Sequence, residues 1–353
     1  AGWYPVPLLP TAHLATLAAG CSAPLWVDVR AAVDATPGPR PQRLTVSVSA
    51  RQTSDGAPVH AILSVQLRVF NFTVPTQQSL PNVWGNNEAI FGERGGSTPS
   101  WRAGPQYGPT GLTEALRLMA ESRISINDIY SVQTSGSLVG NPPPFDRNDG
   151  PKPVLGWPSF SNASALAAMR EASGTSFWNL GHLEPTTNST AHLSFDSFFD
   201  DWLQMVGKAY TVASAAGFAD KQLSLYMFDE TNDLHLLTHA AKMAKAAFPK
   251  VAVMTTARDL SFGLNTSVDI SVPHMDVYAN NLPAIRKARE AGKQVWWYVS
   301  CCGMSPAAYK LDFFIEYPAI RSRLLAGAAP WHYGVDGFLY YKVAGWSCDV
   351  LRG

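Results

Sequence analysis

Asp229 and Glu230 stand side by side where the apolar run Leu223-Ser224-Leu225-Tyr226-Met227-Phe228 ends, directly before Thr231-Asn232-Asp233, a cluster that starts helices. Two carboxylates closing a buried strand suit proton transfer: one neighbour's charge disfavours ionisation of the other, so one acid can donate while its partner stays charged. Catalytic groups gather at the carboxyl ends of parallel strands in barrel enzymes, which makes this pair the leading catalytic candidate. Successive strand residues point to opposite faces, so both acids reach one ligand only if the backbone bends where the strand stops. A helix-capping role beside Thr231 is the competing reading.

Other chemistries find less support. His235 and His239 lie four apart on an expected helix, but no acid occupies the zinc-protease position between them. His182 and Glu184 follow an expected strand at the catalytic end, and His182 suits a contact to a substrate hydroxyl better than a metal. There is no Gly-x-Ser-x-Gly elbow, no phosphate-cradling Gly-rich loop ending in Lys-Ser/Thr, and no Cys-x-x-Cys. No metal or organic cofactor is expected.

The elements needed to hold the acid pair are legible as an alternation. Strands are expected at 82–84, 126–130, 177–181, 223–228, 251–255, 268–272 with 277–278, 294–300 and 336–341. Helices are expected at 113–123, 195–216, 233–248, 282–291 and 317–333. About eight strand–helix units describe an α/β fold, a (β/α)8 TIM-type barrel over residues 76–353. The Gly-, Pro- and Asn-rich stretch 133–161 reads as a loop over the barrel mouth. Before Pro75 the pattern has period two, as in Leu44-Thr45-Val46-Ser47-Val48, broken by Pro37-Gly38-Pro39. That signals a small N-terminal antiparallel β-sandwich over residues 1–75, whose few strands are expected either to pack against the larger domain or to be an incomplete sheet.

Composition bounds the partners. Among 353 residues the charged fraction is 15%, aromatics make up 11% and the formal net charge is +0. No run of Lys and Arg forms a phosphate-binding stripe, so nucleic acid is not an expected partner. No apolar stretch is long enough for a membrane span. The chain starts at Ala1 without a charged leader, as a processed or truncated product would. Asn-x-Ser/Thr acceptors at Asn71, Asn162, Asn188 and Asn265 suit a secreted, extracellular or luminal glycoprotein. Either Cys301 or Cys302 could bridge to Cys348, since both positions follow neighbouring strands, leaving Cys21 unpaired.

Three C-terminal blocks, Gln294-Val295-Trp296-Trp297-Tyr298-Val299-Ser300-Cys301, Phe313-Phe314-Ile315-Glu316-Tyr317-Pro318-Ala319-Ile320-Arg321 and Tyr333-Gly334-Val335-Asp336-Gly337-Phe338-Leu339-Tyr340, resemble glycoside hydrolase family 123. The segment from Pro24 through Gly38 resembles that family's accessory sandwich. The resemblance implies a β-N-acetylgalactosaminidase, a β-N-acetylhexosaminidase type of glycosidase acting on a glycan that contains N-acetylgalactosamine. It implies retaining, substrate-assisted hydrolysis through an oxazoline, an exception to the usual two-carboxylate scheme. Carried over by position, Glu230 is the general acid/base and Asp229 orients the acetamide.

Aromatic faces cover the CH faces of sugars, and Trp297, Tyr298, Tyr340 and Trp346 are expected to wall the ligand, with core packing competing for each. Trp296 and Trp297 cannot share a face, and Trp297 is favoured for the site. Tyr278 and Asn280 are candidates to hydrogen-bond the acetamido group. The chain departs from the family at Asp312, where Asn is expected, and across Tyr341 to Trp346, which lacks the usual Trp and Asn. These departures motivate two alternatives: a catalytically inactive barrel serving as an extracellular glycan-binding or structural glycoprotein, and a β-N-acetylglucosaminidase.

Overall fold

The structure, a computed structural model, describes residues 35–38, 42–51, 57–73, 75, 77–84, 119, 122–125, 145–146, 150–151, 163–183, 195–299 and 319–340. The chain divides into two compact units between Pro75 and Thr76. In the first, β1 (Gln42–Arg51) and β2 (Pro58–Leu67) form an antiparallel ladder with Val46 opposite Leu63. Leu44 and Val46 are half-buried while Arg43, Thr45 and Ser47 are exposed, as period-two alternation requires. The described residues of this unit give one ladder where a sandwich was expected, and the strand expected at 26–29 lies outside them.

The second unit begins with β3 (Asn82–Trp84), followed by a two-residue ladder of β4 (Phe145–Asp146) with β5 (Gly150–Pro151). Then come α1 (Ala163–Ser173), β6 (Trp178–Leu183), α2 (Phe195–Ala215), β7 (Leu223–Met227), α3 (Leu234–Ala247), β8 (Ala252–Thr255) and β9 (Ile270–Ser271). The order continues with α4 (Met275–Asn280), α5 (Leu282–Glu290), β10 (Gln294–Val295), β11 (Trp297–Val299), α6 (Ala319–Arg323), α7 (Ala329–Tyr333) and β12 (Phe338–Tyr340).

Strands β10-β9-β8-β7-β6 form one parallel sheet and β11-β12-β3 another. The chain from Gln294 to Val299 links them: Trp296 N–H donates to Ser271 O of β9, and Trp297 N–H donates to Gly337 O beside β12. At the far edge Trp84 N–H donates to Ser125 O. The described residues thus show two parallel sheets sharing one segment. The strand expected at 126–130 lies outside them.

Helices cover one face of the sheet because their apolar residues recur at helical spacing. On α3, Leu237, Ala240, Ala241 and Ala244 are buried while His235, His239 and Lys242 are exposed. On α2, Phe199, Trp202, Val206, Ala209 and Ala213 are buried in the same manner, against Leu223, Leu225 and Met227 of β7 and Val253 of β8. The opposite faces of the strands meet in a separate apolar cluster of Val83, Phe177, Tyr226, Met254, Ile270, Val272, Trp296 and Leu339. Strands buried on both faces are near-continuously apolar, which explains runs such as Leu-Ser-Leu-Tyr-Met in β7.

At the amino ends of the strands, two acids stitch helices to the sheet. Asp269 accepts from Val253 N–H and from Lys245 Nζ of α3, each through Oδ2. Asp336 accepts from Val295 N–H and from Arg289 of α5. These charges are at the end opposite Asp229 and Glu230, and their partners are structural.

Two local expectations change. Val277 and Tyr278, expected in a strand, lie in α4, whose first turn is capped by His274 Nδ1 accepting from Asp276 N–H at 3.4 Å. The single helix expected over 317–333 is interrupted by a π turn, Leu324–Ala328. Pro330 has no N–H to continue the α-helical ladder, so the register changes just before it. Gly334, at φ 62, then ends α7 in the left-handed conformation.

Candidate active site

The bend that the acid pair requires is present. Phe228 and Glu230 both adopt positive φ, 53° and 48°, with Asp229 between them. A non-glycine residue in the left-handed region costs about 1–2 kcal/mol, so two in three positions must be held by specific contacts. Two consecutive threonines leaving the neighbouring strand β8 hold them. Thr255 Oγ1 donates to Phe228 O at 2.9 Å, and Thr256 Oγ1 accepts from Glu230 N–H at 2.9 Å. Capping of α3 falls instead to Asp233, which accepts from Leu236 N–H at 2.9 Å, so the acid pair is not the helix cap.

The two carboxylates sit in different surroundings. Asp229 is half-buried, and its Oδ1 accepts from Tyr226 Oη at 2.6 Å and Thr256 Oγ1 at 2.7 Å. Glu230 is exposed, and its Oε1 accepts from the phenol of Tyr298 on β11. Tyr298 is itself placed by β12 on one side and by its N–H donating to Pro273 O at 3.1 Å on the other. Burial raises its phenol far above the usual range, and the hydrogen bond to Glu230 and the charges of Glu230 and Asp229 add to this, while Arg258 works against it. The phenol therefore stays protonated and available as a donor.

His182 from β6 stacks on Tyr226, with ring centroids 4.9 Å apart, and Trp202 of α2 secures its backbone by donating to His182 O at 2.9 Å. The rings of His274 and Tyr298 meet nearly at right angles, with centroids 5.3 Å apart. Side chains from five parts of the chain thus converge at the carboxyl ends of the strands: His182, the Asp229-Glu230 pair with Tyr226, Thr256, His274 and Tyr298.

Of the residues singled out from the sequence, Asp229, Glu230, Tyr298 and His182 are brought together. Trp297 is not; it points away from Tyr298 into the helix-side core, against Tyr278 at 5.5 Å and Tyr333 at 5.8 Å, with no exposed surface. Trp296 takes the opposite face, among the inner cluster. Tyr340 shares Trp297's side and packs on Trp84 at 5.1 Å. Tyr278 is buried in α4, donating to Tyr333 O at 3.3 Å, and Asn280 is exposed at the end of that helix. Strand alternation explains this: once Tyr298 faces Glu230, Trp297 must face the helices.

Trp346, Cys301, Cys302, Cys348, Cys21, Asn162, Asn188 and Asp312 lie outside the described residues. Asn71 and Asn265 are exposed. Among the described residues no three His, Cys, Asp or Glu side chains are grouped to hold a metal, and no helix is long and apolar enough to cross a membrane.

A pocket of about 540 Å3 lies in the helical layer, lined by Tyr278, Arg286, Arg289, His332 and Tyr333 among others, without either acid of the pair. Burial pushes the Tyr278 phenol there up to about 12, with Arg289 opposing and Asp336 assisting.

The sequence reading did not single out Tyr226, Thr255, Thr256 or His274. The signal for the threonines was their place after the apolar run Val251 to Met254, the same end-of-strand position that marked Asp229. Tyr226 was hidden inside an apolar run, where a phenol reads as core. With these positions in place, residues 180–352 match the model of the glycoside hydrolase 123 catalytic domain, a span that contains every residue of the convergence. No curated protein matches the chain.

Proposed function

Through residues 180–352 the chain belongs to glycoside hydrolase family 123, and on that premise we propose that it removes β-linked N-acetylgalactosamine by substrate-assisted, retaining hydrolysis. The observation that carries this reading is the unequal pair: Asp229 half-buried under two hydroxyl donors and Glu230 exposed beside it, both at one bend. We place the pair at the mouth of an eightfold barrel, of which the two described sheets are arcs.

In the first step the acetamido carbonyl oxygen attacks the sugar's own anomeric carbon as the glycosidic bond breaks. Glu230 gives its proton to the leaving oxygen, and Asp229 accepts a hydrogen bond from the acetamide N–H, stabilising the positive charge that spreads onto that nitrogen. In the second step water attacks the anomeric carbon of the oxazolinium, reopening the acetamide, and Glu230 recovers a proton from that water. Two inversions leave the anomeric configuration unchanged. The fixed carboxylate of Asp229 suits the orienting role, and the exposed carboxyl of Glu230 suits exchange of a proton with leaving group and water. Tyr298 and His182 are proposed to contact the sugar beside them.

Chromogenic β-N-acetylgalactosaminide and β-N-acetylglucosaminide, assayed with wild type and Glu230→Gln, test the proposal. Turnover of the galactosaminide is expected, with Glu230→Gln about 100-fold to 10,000-fold slower. Preference for the glucosaminide would reassign the sugar, and undiminished turnover in Glu230→Gln would remove that residue from the mechanism. Absence of turnover together with measurable glycan binding would leave an inactive, glycan-binding barrel.

A further inference from the structure

We infer that Thr256 is a positioning residue whose single hydroxyl locks the carboxylate of Asp229 to the backbone of Glu230, so that the two acids are set as one unit. The inference rests on the hydrolase reading above. Thr256 is 4% exposed. It leaves β8 two residues after Met254, which pairs with Tyr226 of β7, so the sheet register itself brings it beside the acids. Its Oγ1 donates to Asp229 Oδ1 at 2.7 Å, accepts from Glu230 N–H at 2.9 Å and lies 2.9 Å from Tyr226 Oη. Tyr226 Oη in turn donates to the same Oδ1 at 2.6 Å.

The proton inventory gives this triangle a direction. A carboxylate only accepts, and each hydroxyl has one proton to give. With Asp229 ionised, both hydroxyl protons point at Oδ1, and the Glu230 N–H enters a lone pair of Thr256 without competing for either. The plane of the Asp229 carboxylate and the left-handed turn of Glu230 then depend on the same oxygen. A residue that merely filled space here would be served equally by valine, which has the same shape and no hydroxyl.

A substrate-assisted reaction needs the acetamide-orienting carboxylate most in the transition state, where the acetamide nitrogen becomes positive. Loss of the hydroxyl should therefore lower kcat and spare KM. Purified wild type, Thr256→Val and Thr256→Ser are compared on the chromogenic β-N-acetylgalactosaminide, with thermal unfolding as the check of fold. Expected results are a kcat at least about tenfold lower for Thr256→Val with KM within about twofold, and recovery to within about threefold for Thr256→Ser. Binding of N-acetylgalactosamine-thiazoline, which mimics the cyclised intermediate, should weaken in Thr256→Val by about the same factor as kcat, while binding of N-acetylgalactosamine itself barely changes.

Should Thr256→Val fail to fold, Thr256→Ala and Tyr226→Phe each remove one hydroxyl from the same triangle and carry the same comparison. A Thr256→Val enzyme with wild-type kcat overturns the inference, as does a loss that serine does not restore. Failure of the wild type to turn over the substrate or to bind the thiazoline overturns the hydrolase reading instead.

Discussion

Tyr298 donates to Glu230 across 68 positions of sequence, and its phenol is held protonated by burial and by the carboxylates it faces. Such a donor fixes where the acid's oxygens point without competing for its proton. Tyr298→Phe keeps the ring against His274 and removes only the hydroxyl. The expected outcome is an unchanged fold and a kcat lower by about 10-fold to 100-fold, because a hydrogen bond to a charged group contributes about 1.5–3 kcal/mol. Steady-state kinetics with circular dichroism check it; wild-type kcat would show that Glu230 needs no such support. At this scale the sequence was informative about carboxylates and silent about hydroxyls. An acid pair ending an apolar run is conspicuous, whereas Tyr226 and Thr256 have ordinary strand composition and acquire meaning only from the neighbour their strand is paired with.

Among the elements, the segment from Gln294 to Val299 has the heaviest demands, since it pairs with β9 through Val295 and with β12 through Trp297 to Val299. The indole of Trp296 fills the space at this junction. A Cβ added at Gly337 would meet that indole at 2.2 Å, far inside contact distance and against a ring locked among Phe177 and its neighbours. Gly337→Ala is therefore expected to destabilise the protein by about 1–3 kcal/mol or more, read as a lower denaturant midpoint. An unchanged midpoint would mean that the junction is loosely packed. Sequence alternation correctly required Trp296 and Trp297 to diverge, but not which of them turned inward. That phase depends on Tyr298 meeting Glu230 and on Gly337 leaving room for an indole, neither of which is encoded within the strand itself.

For the catalytic unit as a whole, buried phenols link stability to alkaline pH. Tyr278 ionises near 10 when unfolded but is pushed up to about 12 in the folded protein. Above pH 10 the unfolded state therefore holds fewer protons than the folded one, so the free energy of unfolding falls as pH rises from about 10 toward 12. Tyr278→Phe should flatten that fall, at the cost of the hydrogen bond to Tyr333 O, about 0.5–1.5 kcal/mol at neutral pH. Denaturant unfolding of both proteins from pH 8 to 11 checks the slope; parallel curves would mean that Tyr278 reaches solvent in the folded state.

Most of the strand and helix positions from β6 to β12 and the acid pair closing β7 were legible in the order of residues alone. These follow from local periodicity and from the chemistry of single residues. Contacts made on folding set the rest: the left-handed turns of Phe228 and Glu230, the clamp of Tyr226 and Thr256 on Asp229, the place of Trp297 and Tyr340 in the helix-side core, and the helical state of Val277 and Tyr278. Each of these is settled by a partner far along the chain, and period and composition say nothing about which strand will lie alongside.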